Sequence, residues 1–447
     1  MNSGSPGHET NCATYSYTRA QYRLLSSASA SVFLTTPASC IIMLWLILSV
    51  IMTSVLDNIR VVDLTQALAG PYCTMLLGDM NADVIKIETP GVGDQSRGWG
   101  PPFVEGESTY FLSINRNKRS LTLDIRSAEG QGILHKLIAT ADVFVCNIPK
   151  ETSRRRAGVD LETLRELNPR LIYCLISGYG DTGPYAERPG YDLVVQGEAG
   201  LMSVTGEPDD EPIRYPVPIA DITTGMYSTI GILAALLARE RTGQGQFLDM
   251  SLMEGQSAWL TTLASSLMNG GESPQRVGNS HPNIVPYQVF RTKDKYLILA
   301  VGTEKLWQAF CDALGFADLK EDPRFATNAE RNKNRVELVP LLDELFSTQC
   351  ADHWLEKLKD TGIPSGPINT IADTLAHPQH RARHFIVELD HPLIGPVKSM
   401  GNPVNLSSTP VNYRLAPPTL GQHTQEVLAE LGYDETTIAS LRNKGVV

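Results

Sequence analysis

Short runs of apolar, β-branched residues alternate along the chain with longer stretches whose apolar residues recur at helical spacing. The helical stretches lie near 70–80, 128–140 and 161–167. Buried strands that alternate with amphipathic helices predict a parallel sheet covered on both faces, so the predicted fold class is α/β with a Rossmann-like large domain. The strand-like runs are IRVVDL (59–64), DVIKIE (83–88), SLTLDI (120–125), DVFVCN (142–147) and LIYCLIS (171–177).

The pattern changes in the second half of the chain. A long, almost continuously apolar helix is predicted from about 222 to 241, deeply buried and ended by T-G-Q-G. Beyond about 275, PYQVF and KYLILAV precede charged amphipathic helices around 304–314 and 329–346, which predicts a smaller α+β domain. The linker IPSGPI and a last helix behind APPTLG then return the chain to the large domain.

These changes of pattern predict a discontinuous large domain with a small domain inserted in it. The length of 447 residues agrees, because it exceeds what one hydrophobic core usually organises. The predicted divisions are an N-terminal extension (1–55), the large domain in two parts (56–252 and 370–447), the small domain (278–344) and two linkers (253–277 and 345–369).

The N-terminal extension has a composition of its own. Residues 1–38 contain two arginines, many Ser, Thr and Ala, and a single acid, Glu9, which is typical of an organelle transit peptide. The apolar run at 40–56 is about as short as a membrane-spanning helix can be. A transit peptide, a membrane anchor and a mis-assigned translation start all stay open, and a removable or disordered extension is favoured.

Charge and motifs exclude several classes of function. The net charge of −11 disfavours a nucleic-acid partner, which needs a broad basic face. The seven cysteines form no C-x-x-C pair, so the sequence predicts no metal site and no disulfide framework. No G-x-G-x-x-G follows the first strand and no G-x-x-x-x-G-K-[ST] occurs, which argues against the usual nucleotide cofactors.

Polar residues at the strand ends are candidates for ligand binding, because ligands of parallel sheets bind beyond the carboxyl ends of the strands. Two basic clusters, NRNKRS (115–120) and SRRRAG (153–158), also lie near strand ends. Each cluster is either a solvated surface or a grip for an anionic ligand. The strand-end residues are Thr65, Gln66, Glu88, Arg126, Asn147 and Ser177.

Two aspartates are candidates for chemistry. Asp221, in PIADITTGMY, lies at the start of the long helix, where Asp is a favoured N-cap. The helix dipole would keep the pKa of such a carboxyl low, so it would be ready to act as a covalent nucleophile without a general base. Asp192, in RPGYDLVVQ, either caps its own segment or serves as a second acid.

Many segments, taken in order from about 56 to 447, resemble the class III coenzyme A transferases, the family of formyl-CoA transferase and carnitine CoA-transferase. They include IRVVDLTQALAGP, DVIKIETPGVGDQSRGWGPP, NPRLIYCLISGYGDTGPY, ADITTGMYSTIGILAALLARERTGQGQ and PPTLGQHT. Within the family, GPPFVEGESTYFLSINRNKRS, VPYQVFRTKD and GIPSGPIN are most similar to mitochondrial members that act on dicarboxylic acyl groups such as succinate and glutarate.

The resemblance implies roles for particular residues. It makes Asp221 the nucleophile and Asp192 the supporting acid. One inserted residue makes Arg155 and Arg156 hard to tell apart, and the glycine-rich lid of formyl-CoA transferase is absent. The implied coenzyme A contacts are Leu68, Ala69, Leu123, Asp124, Ile125, Arg126, Asn147, Ile148, Pro149, Arg156 and Tyr191.

The resemblance also implies an intertwined homodimer, a mitochondrial location, and no permanently bound cofactor, since the coenzyme A thioester is a substrate. The predicted function is transfer of coenzyme A from an acyl-CoA such as succinyl-CoA to a free carboxylate such as glutarate, through an aspartyl acyl anhydride. An α-methylacyl-CoA racemase is an alternative, although Tyr191 replaces the histidine that racemases use. A non-catalytic acyl-CoA-binding or membrane-attached protein is another, and a cytoplasmic or membrane-anchored location stays open.

Overall fold

A computed structural model describes residues 54–447. Nearly all of the N-terminal extension, with its predicted transit peptide and most of the apolar run, lies outside the described residues. The strands are β1 (Arg60–Leu64), β2 (Asp83–Glu88), β3 (Phe103–Val104), β4 (Glu107–Ser108), β5 (Lys118–Thr122), β6 (Val143–Cys146), β7 (Ile172–Ser177), β8 (Phe247–Ser251), β9 (Tyr287–Arg291), β10 (Tyr296–Ala300), β11 (Ser365–Pro367), β12 (Ile386–His391) and β13 (Gly395–Met400).

The α-helices are numbered in the same way, and short 3-10 turns lie between some of them. They are α1 (Ala69–Asp79), α2 (Thr109–Ile114), α3 (Ala128–Ala139), α4 (Glu151–Arg156), α5 (Leu161–Leu167), α6 (Asp192–Glu198), α7 (Ile219–Thr242), α8 (Leu252–Ser257), α9 (Thr261–Ser265), α10 (Glu304–Leu314), α11 (Ala317–Glu321), α12 (Asn328–Lys333), α13 (Arg335–Ser347), α14 (Ala351–Leu358), α15 (Ile371–Leu375), α16 (Pro378–Ala382), α17 (Thr424–Glu430) and α18 (Glu435–Asn443).

A six-stranded sheet forms the centre of the first lobe, in the order β5-β2-β1-β6-β7-β8. Every neighbouring pair of its strands is parallel. In chain order of the sheet strands this is 3-2-1-4-5-6, the Rossmann arrangement. The predicted α/β class and parallel sheet are therefore confirmed. The edge strand β8 was not predicted, because its run FLDMS is only partly buried and carries the exposed Asp249.

Helices cover both faces of this sheet. On one face α1 and α7 pack on strand residues that include Val61, Val84 and Cys174. On the other face α3 and α5 pack together with the C-terminal helices α17 and α18. The C-terminal end of the chain thus packs against the same sheet as its first half.

A separate apolar core lies in the region 285–363. It combines the antiparallel sheet β11-β10-β9 with α10, α13 and α14, around Trp307, Phe310 and Phe346. An α+β arrangement of this kind matches the pattern expected for a small domain. The exact domain divisions stay a prediction.

The basic cluster at the start of β5 holds the fold together. Arg116 forms an ion pair of 2.6 Å with Asp79, and Lys118 lies 3.1 Å from Asp63. Arg119 bonds Glu430 of α17 at 2.6 Å. Both interpretations of this cluster, a solvated surface and a grip for an anion, are therefore wrong, because the three basic side chains are buried and carboxylates of the fold already neutralise them.

Helix α7 begins three residues earlier than predicted and ends at Gly243, whose positive φ of 71° is the usual left-handed end of a helix. The prediction of deep burial is wrong for one face: 58 % of Ile230 and 60 % of Leu237 are exposed. Among the described residues α7 is also long and apolar enough to cross a membrane, but 50 % of its most apolar window is buried within the protein.

Candidate active site

A cavity of about 210 Å³ lies at the carboxyl ends of β1, β6 and β7. Strands β1 and β6 are neighbours in the sheet, yet the chain passes from β1 to β2 on one side and reaches β6 later on the other. Such a topological switch point opens a crevice for ligands. Its walls are residues 66–69 after β1, Asn147 and Pro149 after β6, 176–178 at the end of β7, the segment 188–191 and Asp221 of α7.

About half of the predicted site residues meet at this cavity. Leu68, Ala69, Asn147, Pro149, Tyr191 and Asp221 line it. Two of the strand-end candidates, Gln66 and Ser177, line it as well. Glu88 is instead bonded to Arg97 at 2.7 Å, beneath the surface.

The remaining predicted coenzyme A contacts do not line the cavity. Leu123 is buried in the core, because β5 ends at Thr122 and the chain turns inward there. The backbone amide of Asp124 donates to the carbonyl of Val446, and the carboxylate of Asp124 pairs with Arg126 at 2.9 Å. Ile125 and Ile148 pack partly buried against the core on the α3 face.

Asp221 is the third residue of α7, and its carboxylate accepts no hydrogen bond from any residue within 54–447 that the structure describes. Burial raises the pKa of this carboxyl to about 7, and the neighbouring Asp192 carboxylate adds to the effect. The predicted low pKa is therefore wrong. The helix dipole alone would have lowered it, but the residue lies inside the first turn with no amide to accept from.

Asp192 occupies the capping position that was predicted for Asp221. It is the first residue of α6 and is buried, and its Oδ1 accepts from the amides of Ala220 at 2.8 Å and Asp221 at 3.4 Å. Its Oδ2 accepts from Gln196 at 2.6 Å. Asp192 therefore caps α7 from another helix and not its own segment. Both amides are then unavailable to stabilise an oxyanion.

Close backbone contacts explain the glycines next to these acids. A Cβ on Gly225 would lie 2.6 Å from the carbonyl oxygen of Ala69, so only glycine lets α7 reach the start of α1. A Cβ on Gly178 would lie 2.7 Å from Cα of Gly190, where the two loops cross. The Gly225 contact holds α7, which carries Asp221, against the start of α1.

Asn147 spans the crevice between β1 and β6. Its Nδ2 donates to the carbonyl of Gln66 at 2.9 Å, and its Oδ1 accepts from the amide of Gln66 at 3.2 Å. One N–H donor and the oxygen of the side-chain amide thus join the two loops. A ligand in the cavity would meet the loop backbone that Asn147 holds.

The three arginines of SRRRAG have different surroundings. Arg154 is buried, and its guanidinium donates to the carbonyls of Ile148 at 3.0 Å and Pro149 at 2.7 Å and pairs with Asp181 at 2.5 Å. Arg155 pairs with Glu151 at 2.8 Å on the surface. Arg156 is exposed, and its guanidinium has no ion pair with a residue of the described part of the chain.

Three aromatic and basic residues of the site were not singled out from the sequence. Trp99 lines the cavity and packs edge-on against Tyr110, with ring centroids 4.8 Å apart. Burial raises the pKa of Tyr110, and the negative charges of Asp221 and Asp192 raise it further. Arg188 also lines the cavity and pairs with Glu198 at 2.6 Å. Two of them lie in segments that carry the family resemblance: Trp99 in GDQSRGWGPP and Arg188 in RPGYD.

No cluster of three or more His, Cys, Asp or Glu side chains with metal-ligand geometry occurs between residues 54 and 447. The protein has an α/β fold with a cavity at the switch point of its parallel sheet, a place where α/β enzymes commonly bind ligands, and the Asp221 carboxylate in the cavity wall has no hydrogen-bond partner within residues 54–447. The family model of CoA-transferase family III matches residues 56–424. The chain belongs to this family, and it is an enzyme that transfers coenzyme A.

Two characterised relatives and one solved structure show how similar the chain is to known members. A succinyl-CoA:glutarate CoA-transferase of Mus musculus is 42 % identical over 394 residues, which cover 88 % of this chain and 90 % of the relative. A succinate–glutarate CoA-transferase of Agrobacterium fabrum is 43 % identical, covering 86 % and 97 %. A CAIB/BAIF family protein from Brucella suis has a TM-score of 0.77 at 43 % identity, covering 85 % of this chain and all of that one.

Proposed function

We propose that the enzyme transfers coenzyme A from succinyl-CoA to glutarate, with Asp221 as covalent nucleophile. The observation that carries the proposal is the unpartnered carboxylate of Asp221 in the wall of the switch-point cavity. The substrate pair rests on the activities for which the mouse and Agrobacterium relatives are named. Coverage of nearly the whole length of both relatives supports extending the pair to this chain.

The proposed reaction has three steps. A carboxylate oxygen of Asp221 attacks the thioester carbonyl of succinyl-CoA, the C–S bond breaks, and the coenzyme A thiolate leaves from a mixed anhydride. Glutarate then attacks the aspartyl carbonyl of this anhydride and expels succinate, which gives a second anhydride. The thiolate finally attacks the glutaryl carbonyl, forms glutaryl-CoA and releases Asp221 as a carboxylate.

The raised pKa of Asp221 fits a nucleophile in this reaction. A carboxylate with a pKa of about 7 is a stronger base than an ordinary aspartate, and it is still ionised in a large fraction of molecules at neutral pH. Exchange of one thioester for another is nearly isoenergetic. The steps therefore require no nucleotide hydrolysis and no external base.

We place the coenzyme A moiety along the loops after β1 and β6, next to Leu68, Ala69 and Pro149. The predicted contact Arg156 is exposed and forms no ion pair with residues 54–447, whereas Arg155 pairs with Glu151, which favours Arg156 as the one that meets a phosphate. Leu123, Asp124, Ile125 and Arg126 stay predictions for a part of coenzyme A that extends beyond the cavity.

Incubation of the purified protein with succinyl-CoA and glutarate, without ATP, tests the activity. We expect glutaryl-CoA and free succinate in equal amounts, and a hydroxylamine-trapped Asp221 peptide in the mass spectrum. Adipate and acetate measure the preference for dicarboxylates, and an α-methylacyl-CoA in deuterated water tests for the racemase alternative. The Asp221→Asn variant should be inactive, whereas Asp312→Asn on the exposed face of α10 should keep the full rate. A fully active Asp221→Asn protein would overturn the proposal.

We further propose a homodimer in the mitochondrion. The exposed apolar residues Met226, Ile230 and Leu237 on one face of α7 support an interface, because such a stripe is costly to leave in water. The composition of residues 1–38 supports the location. Light scattering after gel filtration and organelle fractionation test the two statements; a monomer, or a protein found only outside mitochondria, would contradict them.

A further inference from the structure

Lys86 lies in the middle of β2 and is completely buried, directly beneath the loop that follows β1. Its Nζ donates to the carbonyl of Thr65 at 2.8 Å and pairs with Asp94 at 2.8 Å. Asp63 is 4.0 Å away and is neutralised more closely by Lys118, at 3.1 Å. The two short contacts of Lys86 therefore go to the loops that form the cavity wall.

Asp94 extends this contact to the loop after β1. Its Oδ1 accepts from the amide of Ala67 at 3.2 Å and from the amide and hydroxyl of Ser96, both at 2.8 Å. Lys86 thus holds residues 65–67 twice, directly at Thr65 and through Asp94 at Ala67. Neither Lys86 nor Asp94 lines the cavity, so both act from behind its wall.

The held segment has a conformation that it would not adopt alone. Ala67 has a φ of +70°, in the left-handed region that L residues other than Gly, Asn and Asp rarely adopt. An unrestrained alanine populates this left-handed conformation less than the ordinary backbone conformations by a factor of roughly 5 to 30. Ala67, Leu68 and Asp221 all line the same cavity. The surrounding bonds must therefore stabilise the functional shape of this loop.

We propose that Lys86 is a positioning residue, which keeps the loop after β1 in its left-handed conformation through Thr65 and Asp94 so that the loop faces Asp221. The inference rests on the proposed function only in taking this cavity as the site of thioester binding. Loss of the Lys86 charge leaves Asp94 without its cation, and the chain at Ala67 relaxes toward ordinary backbone angles. Binding of coenzyme A and kcat/KM then fall together.

The test uses the full-length protein with Lys86→Met, Ala67→Gly and the double variant. We expect Lys86→Met to lower kcat/KM and coenzyme A affinity by a factor of roughly 5 to 30, the population factor of the loop. Glycine adopts a positive φ without strain. Adding Ala67→Gly to Lys86→Met should therefore recover most of the loss, relative to Ala67→Gly alone.

Arg239→Met is the matched control. It removes another buried cation that is paired with an aspartate, Asp142, at 2.8 Å, but at the opposite end of the sheet. We expect it to lower stability and to leave kcat/KM per folded molecule unchanged. Adding Ala67→Gly should not restore the stability of Arg239→Met, because Arg239 does not contact the loop after β1.

Two results would overturn the inference: a folded Lys86→Met protein with normal kcat/KM and affinity, or a loss that glycine at 67 does not reduce. If Lys86→Met does not fold, Ala67→Val strains the same loop without changing a charge, and a normal kcat/KM for that variant would contradict the proposal. Coenzyme A affinity, measured by calorimetry, separates this inference from the proposed chemistry. An active Asp221→Asn protein would refute the role of Asp221 as nucleophile. The coenzyme A affinities of the Lys86 and Ala67 variants would still test the role of the loop.

Discussion

Replacing the nucleophile candidate should make the protein more stable at neutral and alkaline pH. Asp221 changes its pKa from 3.8, the value for an unfolded chain, to about 7 in the folded protein. Between these two pH values the unfolded chain has lost the proton and the folded protein keeps it, so the free energy of unfolding falls as pH rises. Above about pH 7 both states are ionised and the penalty is complete.

The magnitude follows from the two pKa values. The difference corresponds to roughly 4 kcal/mol at pH 8, about 2 kcal/mol near pH 5 and less than about 1 kcal/mol at pH 4. Asp221→Asn removes the charge and nearly keeps the shape. We therefore expect Asn at this position to raise the free energy of unfolding by these amounts, with the gain growing from acid to alkaline pH.

Urea unfolding curves of both proteins at pH 4, 5, 6, 7 and 8, at one protein concentration, measure this gain. Asp434→Asn provides a control of opposite sign: hydrogen bonds from Thr436 and Thr437 hold the pKa of Asp434 at about 2, so its contribution is present above its unfolded pKa and is lost toward acid. A stability gain of Asp221→Asn that is equal at pH 4 and pH 8, or a loss at pH 8, would refute the electrostatic account of the site.

Three further predictions concern activity. The rate constant kcat/KM should rise with pH through about 7 and level off above it, because only the ionised Asp221 attacks; a rate independent of pH between 5 and 9 would contradict this. Gly225→Ala should lower the free energy of unfolding by about 1–3 kcal/mol and should also lower activity, since the added Cβ would lie 2.6 Å from the Ala69 carbonyl oxygen. Melting curves equal to those of the parent protein would exclude that clash. Arg154→Met should cost about 3 kcal/mol of stability and raise KM more than it lowers kcat, because Ile148 and Pro149 lose their donor; steady-state kinetics with the Arg155→Met control checks this.

The sequence predicted the elements that local patterns determine. Apolar strands separated by amphipathic helices gave the parallel sheet, and the strand ends gave Gln66, Asn147 and Ser177 at one edge. The turn T-G-Q-G marked the end of α7 correctly. These features depend on neighbouring residues and on general rules for parallel sheets.

The parts that failed depend on contacts between distant residues. Asp221 looked like a helix cap, but Asp192, which belongs to another helix, reaches across to cap α7 and leaves the Asp221 carboxyl protonated up to about pH 7. The basic residues at the start of β5 were expected to form a solvated surface or to grip an anion, but their partners include Asp79 and, near the end of the chain, Glu430. The spacing of residues along the sequence cannot predict which distant residues become such partners.

The ties between β5 and the C-terminal helices affect the order in which the protein assembles during synthesis. Arg119 bonds Glu426, 307 residues later, and the amide of Ser120 bonds His423, 303 residues later. A ribosome releases β5 long before these partners exist, so this edge of the sheet stays uncovered while about 300 further residues are synthesised. Chaperone binding to nascent chains should therefore persist until α17 has left the exit tunnel.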